Sequence, residues 1–126
     1  GLFNWFMKKT ANLNEPVSGY TKAMWTGQTT LQLAKTIEEA AKRKAYGLYN
    51  TVPDHSISKY SLLKLFDKYF RENKTEIIPV DGVNVNKSLK RTRFEFNYLI
   101  PDYESMVCEL ANWLTTHKDM YPHYQL

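Results

Sequence analysis

Gly19-Tyr20-Thr21-Lys22-Ala23-Met24-Trp25-Thr26-Gly27-Gln28-Thr29-Thr30-Leu31-Gln32-Leu33-Ala34 is the stretch that decides the fold. Its first half is rich in β-formers, follows a turn at Asn14-Glu15-Pro16, and reads as a strand over 17–25. Its second half changes period. Thr29 with Gln32 three residues on has the capping-box pattern. Leu33, Ile37, Ala40 and Ala41 then recur at helical spacing. The pattern predicts a helix over 29–44, with Lys42, Arg43 and Lys44 in the last turn, where cations suit the helix dipole, and Gly47 to end it.

Outward from that stretch, residues 2–9 read as a short amphipathic helix. On the other side, Gly47-Leu48-Tyr49-Asn50-Thr51-Val52 reads as a short buried strand, and Pro53-Asp54-His55 turns the chain. Ser58 is a good N-cap, with Ile57 and Leu62 as a hydrophobic staple across it. Leu62, Phe66, Tyr69 and Phe70 give the next helix an apolar stripe. Glu76–Val80 reads as an edge strand, because Pro79 cannot donate a ladder bond. Residues 81–100 read as a polar loop with a turn at Asp81-Gly82. Asp102 caps a final helix with Met106, Leu110, Trp113 and Leu114 on one face, and the tail from 118 is expected to be loose. The order is helix, strand, helix, strand, helix, strand, loop, helix, without internal repeats. This is an α/β pattern on one core, a single domain over 1–126.

Composition narrows the functions. The chain is 43% hydrophobic, enough to fold, yet no apolar run approaches the ~20 residues that span a bilayer, so no membrane partner is expected. The net charge of +4 is spread along the chain rather than clustered, which argues against a nucleic-acid partner and leaves room for a small anionic ligand. The one cysteine, Cys108, lies in an apolar helical pattern, reads as a small buried hydrophobe, and fits a reducing, cytoplasmic setting. The chain opens on Gly1 rather than Met, as a piece of a longer protein can.

The five glycines (1, 19, 27, 47 and 82) match neither a G-x-G-x-x-G nor a Walker spacing, so no dinucleotide loop lies in this chain. His55, His117 and His123 are too scattered for a zinc motif, and no metal is expected. Glu38 and Glu39 fall on a polar helical face. Tyr60-Ser61-Leu62-Leu63-Lys64 spells Y-x-x-x-K, a spacing that can let a lysine tune a tyrosine for proton transfer. With nine tyrosines and many lysines, about one such match arises by chance. No catalytic residue is assigned.

Four segments carry a resemblance: Gly19–Ala34; Gly47-Leu48-Tyr49-Asn50; Ile57-Ser58-Lys59-Tyr60-Ser61-Leu62-Leu63; and Asn86-Lys87-Ser88-Leu89. In this order the chain resembles, over roughly residues 1–115, the C-terminal part of extended short-chain dehydrogenase/reductases, the dTDP-4-dehydrorhamnose reductase group above all. The resemblance implies the C-terminal, substrate-binding lobe of a Rossmann-type enzyme, a small mixed sheet of short strands with about four helices. It further implies that the NAD(P)-binding loop and the catalytic Ser/Thr, Tyr and Lys belong to an N-terminal Rossmann domain absent from the chain. The chain alone then holds no cofactor and is inactive. The strand at 47–51 and the helix at 29–44 would pack beside the dinucleotide-binding sheet.

A nucleotide-sugar needs cations for its diphosphate, an apolar wall, and small donors for its hydroxyls. Trp25, Thr26, Gly27 and Thr29 supply a wall, hydroxyls and a close-approach glycine at a helix N-terminus, which favours anions. Lys87, Arg91 and Arg93 lie on the polar loop as a diphosphate clamp. Each also has a plainer reading: Trp25 as core, Thr29 as a cap, the arginines as solvated surface. The reductase is the leading reading; within the same superfamily an epimerase or dehydratase is the alternative, because the residues that decide between them lie outside the chain. From a different class, a free-standing binding or interaction module fits the basic balance and the missing catalytic set.

Overall fold

The computed structural model describes all 126 residues. The elements are α1 (Leu2–Lys9), β1 (Val17–Trp25), α2 (Thr30–Lys42), β2 (Ile57–Ser58), α3 (Lys59–Phe70), β3 (Ile77–Lys87) and α4 (Tyr103–Thr116), with a 3₁₀ turn at Lys118–Met120. Three strands form one mixed sheet in the order β2-β1-β3. β1 is central, parallel to β3 from Val17 opposite Ile77 to Trp25 opposite Lys87, and antiparallel to β2 through Met24 opposite Ser58. The α/β class, the mixed sheet and the four helices agree with the sequence reading.

α3 is the hub of the core. Leu62, Leu63 and Phe66 meet Phe6 and Met7 of α1, Val17 and Ile77 of the sheet, and Val107 of α4. Burying each such side chain contributes roughly 1.5–3 kcal/mol. The helix starts where Ser58 turns out of β2 and its hydroxyl accepts the Ser61 N–H at 3.0 Å. α3 then crosses β1 so closely that a Cβ on Gly19 would stand 2.9 Å from the Tyr60 Cα. Only hydrogen fits at that crossing. A second, smaller cluster of Ile100, Tyr103 and Met106 closes the end of the sheet, with Trp25, Ile57, Leu65 and Tyr98 packed against it.

Four local readings need correction. Residues 47–52 form no strand: the second strand is the two-residue Ile57–Ser58 instead, too short to leave a pattern. β3 runs through Asp81-Gly82 to Lys87, so these residues are not a turn, and the polar loop begins only after it. As an edge strand β3 is open to solvent along most of its length, which is why its sequence looks loop-like. α2 ends at Lys42, short of Lys44, and the terminator is not Gly47: Lys44 takes the left-handed conformation (φ 51°), and Ala45 N–H donates back to Ala40 C=O at 2.9 Å. The tail past 118 is held rather than loose, because Tyr124 packs on the core and Gln125 C=O accepts from Arg71 at 2.7 Å.

Arg71 does more than hold the tail. It is 8% exposed, and its guanidinium donates to Thr10 Oγ1 at 2.9 Å and to Met7 C=O at 3.2 Å, so one side chain ties the end of α1 to the end of α3. Nearby, the buried Asp67 carboxylate accepts the Thr75 N–H at 2.9 Å and shapes the turn into β3.

Candidate functional site

β1 and β3 are parallel, so their carboxyl ends lie side by side, the place where open α/β sheets bind ligands. Trp25 and Lys87 are register partners there. The chain then leaves both strands, and Thr26 joins the two exits. Its hydroxyl accepts the Leu89 N–H at 2.7 Å and donates to the Leu89 C=O at 3.3 Å. Two segments 63 positions apart in sequence thus become one rim.

Gly27 is fixed by contact with Trp25: a Cβ on it would fall 2.0 Å from the indole Cζ2. The six-membered ring of the indole therefore occupies the space a side chain at 27 would take, and only glycine permits that approach. Thr29 caps α2, its hydroxyl accepting the Gln32 N–H at 3.2 Å. The capping box is half made, because the Gln32 side chain turns inward to Thr36 and the Tyr98 hydroxyl rather than back to the cap. Trp25, Gly27 and Thr29 line one side of a cavity of about 480 Å³, with Ile57, Tyr103 and Met106 among its other walls. Tyr103 is largely buried, which pushes its phenol above the usual range, and it donates to His55 C=O at 2.7 Å.

The three cations stand outside that cavity. Lys87 is exposed at the strand end, in no ion pair. Arg91 is only 9% exposed in its side chain: it donates to Asn97 Oδ1 at 3.0 Å, faces Asp54 at 3.7 Å and lies over the Phe94 ring. Arg93 lies 4.5 Å from the centroid of Tyr49, donates to Leu48 C=O at 3.3 Å and faces Glu95 at 3.5 Å. The structure thus brings Trp25, Thr26, Gly27, Thr29 and Lys87 to one rim, and places both arginines in a neighbouring loop whose charges already have partners.

The rim sets an indole, two threonine hydroxyls, a helix N-terminus and one exposed lysine close together. No three His, Cys, Asp or Glu side chains converge to hold a metal. Tyr60 and Lys64 offer no acid–base pair at this rim, because the Tyr60 ring lies against Gly19 far back along β1. Sequence reasoning missed Ser88, whose hydroxyl is buried beside Thr26 and Leu89 without a hydrogen-bond partner. It also missed Gln28, which donates to Thr51 C=O at 2.6 Å and accepts from Thr36 at 2.7 Å. Gln28 lies within the decisive stretch, but an amide that bonds a loop two dozen residues away leaves no local signal.

No protein-family model matches the chain, and no curated protein does. Solved structures do. The chain is similar to dTDP-4-dehydrorhamnose reductase from Bacillus anthracis, solved in complex with NADP, with a TM-score of 0.67 and 17% identity over 85% of this chain and 41% of that one. It is likewise similar to dTDP-4-dehydrorhamnose reductase from Yersinia enterocolitica, with a TM-score of 0.70 and 11% identity over 89% of this chain and 42% of that one. At these identities the likeness is one of fold, and the chain spans about two-fifths of the length of the reductases it matches.

Proposed function

We propose that the chain is the substrate-side lobe of an NAD(P)-dependent sugar-nucleotide reductase of the dTDP-4-dehydrorhamnose reductase type, inactive alone. One observation carries the reading: nearly all of the chain superposes on about two-fifths of such reductases, with its candidate site at the carboxyl ends of the parallel strands. The dinucleotide-binding Rossmann domain, the NAD(P) and the catalytic residues belong, in this reading, to the rest of the polypeptide. A cytoplasmic role in building sugar precursors for polysaccharide goes with it.

The rim residues divide the substrate between them. Trp25 is the flat wall, with Gly27 keeping the backbone beneath it close. Thr26 and Thr29 hold the rim and the helix N-terminus in place, and the amide ends there favour an anion. Lys87 is the cation without a partner, and Arg91 and Arg93 exchange their present partners for a diphosphate. A charge-assisted bond to phosphate is worth roughly 1.5–3 kcal/mol.

The test is calorimetry with a dTDP-sugar on the intact enzyme, with Lys87→Ala, Arg91→Ala and Arg93→Ala made separately at fixed salt. Each is expected to weaken binding by roughly ten- to a hundredfold. If none exceeds about twofold, the anion site lies elsewhere. Alongside, the purified 126-residue chain is expected to oxidise neither NADH nor NADPH, and saturable oxidation by it would overturn its assignment as a lobe without chemistry.

A further inference from the structure

The cavity behind the rim is long. Ser58, Leu62 and Phe66 line it at one-turn intervals along α3, and Tyr103, Met106 and Leu110 do so along α4. It therefore runs from the start of α3 for about two turns, roughly 12 Å. At its inner end stand Phe66 and Phe3, with ring centroids 5.2 Å apart, and Tyr124, 5.4 Å from Phe3. Three rings that meet edge to face in this way suit a further flat, apolar ring between them. The volume of about 480 Å³ is that of a small-molecule site.

Of the three rings, Tyr124 alone is carried by no helix or strand. Past α4 the backbone bonds of the tail are local turns: Met120 N–H to His117 C=O, Tyr121 N–H to Lys118 C=O, and Tyr124 N–H to Tyr121 C=O. No backbone bond ties residues 118–126 to the body of the molecule. Two side-chain bonds do. The Trp113 indole N–H donates to the Tyr121 hydroxyl at 3.2 Å, and Arg71 donates to Gln125 C=O at 2.7 Å. They fall on either side of Tyr124, whose ring also stacks on that of Tyr121. A segment held by so few bonds belongs to the low end of local stability.

We propose that Tyr124 is the movable end wall of this cavity, and that residues 118–126 form a strap which swings aside to admit the apolar ring of a ligand. The Trp113–Tyr121 and Arg71–Gln125 bonds are its latches. The ligand then pays for opening, so its apparent affinity and its rate of entry scale with the fraction of molecules whose strap is open. The body of the cavity, on α3 and α4, stays put while the strap moves. This inference goes beyond the reading above and holds whichever reaction the intact enzyme carries out, because cavity, strap and latches all lie within this chain.

The test uses anilinonaphthalene sulfonate as the ring and the 126-residue chain as the protein. Tyr121→Phe removes one latch and keeps the ring that stacks on Tyr124. Its Tm is expected to stay within about 2 °C of the parent's, while the dye enters about two- to tenfold faster, the worth of one hydrogen bond. Tyr124→Ala removes the wall itself, and entry is expected to be faster by about tenfold or more. Dye in the cavity is expected to shift the amide signals of Gly27 and Leu110, which line it. Carboxypeptidase is expected to trim the tail faster with the dye bound than without it. Equal rates of entry in the parent and both variants would overturn the inference, because the wall is then fixed. So would a dye that leaves Gly27 and Leu110 unshifted, and so would a tail trimmed more slowly with dye bound, since Tyr124 then closes on the ligand rather than yielding to it. The reductase reading stands or falls separately, on dTDP-sugar binding by the intact enzyme.

Discussion

Single side chains in this molecule act by filling or by tying, and two of them make the distinction measurable. Gly27 leaves room for an indole. In Gly27→Ala the new methyl meets the Trp25 ring, so the ring must swing off the rim. Overpacking of this kind costs roughly 1–3 kcal/mol. The expected outcome is a lower Tm together with a shifted tryptophan emission, and unchanged emission would mean that the backbone rather than the ring gives way. Arg71 ties. Its guanidinium is bonded to Thr10, to Met7 C=O and to Gln125 C=O, and Arg71→Met leaves those acceptors unpaired. A loss of about 2–4 kcal/mol is expected, with cleavage of the tail by carboxypeptidase as the local readout. A tail as resistant as the parent's would show that Tyr124 alone holds it. The glycine was legible in the sequence as a close-approach residue. The arginine was not, because a buried cation satisfied by distant carbonyls looks like any surface arginine until the chain is folded.

Among the elements, those whose signals are local were legible and those set by distant pairing were not. α3 and α4 announce themselves by cap and stripe, and Ser58 and Asp102 cap them as read. β2 is defined only by its pairing with Met24 and Trp25, and β3 continues past Gly82 only because β1 lies beside it. The apolar stripe of α2 was legible as a stripe, while the direction it faces was not, since periodicity says that two faces differ and not which one is inside. The caps also give a pH dependence. Asp102 accepts the Ser105 N–H at 2.7 Å, and this bond, then the Ser105 hydroxyl, holds its carboxyl below the usual range. A depressed carboxylate stabilises the fold above its unfolded pKa, and that contribution is lost as the pH falls through the folded value. Asp102→Ala is therefore expected to cost about 1 kcal/mol at pH 7, while parent and variant converge in Tm below about pH 3. A difference in Tm independent of pH would show that the cap acts without its charge.

At the scale of the whole molecule, the chain is a three-stranded mixed sheet with four helices, a candidate rim at one end of the sheet and exposed apolar side chains along α2. The fold class was legible because strand and helix alternate. The rim was legible in part, because Trp25–Thr29 is continuous, whereas the closure by Leu89 depends on the β1–β3 pairing. The Y-x-x-x-K match is placed where it serves packing: Tyr60 lies against Gly19 and its hydroxyl bonds nothing in the chain. Tyr60→Phe in the intact enzyme is expected to leave kcat within a few-fold, and a loss of about a hundredfold, the scale of a general acid, would make α3 catalytic. The same β1–β3 pairing also bears on how the lobe reaches its native state. Every rung from Val17 opposite Ile77 to Trp25 opposite Lys87 joins residues about sixty positions apart. The loop between them must close before any rung repays the lost chain entropy. α3, formed locally from its own cap, is the element that can bring the two strands together. The rate of folding is therefore set by that search, and during it β1, the most β-prone stretch of the chain, is without its neighbour.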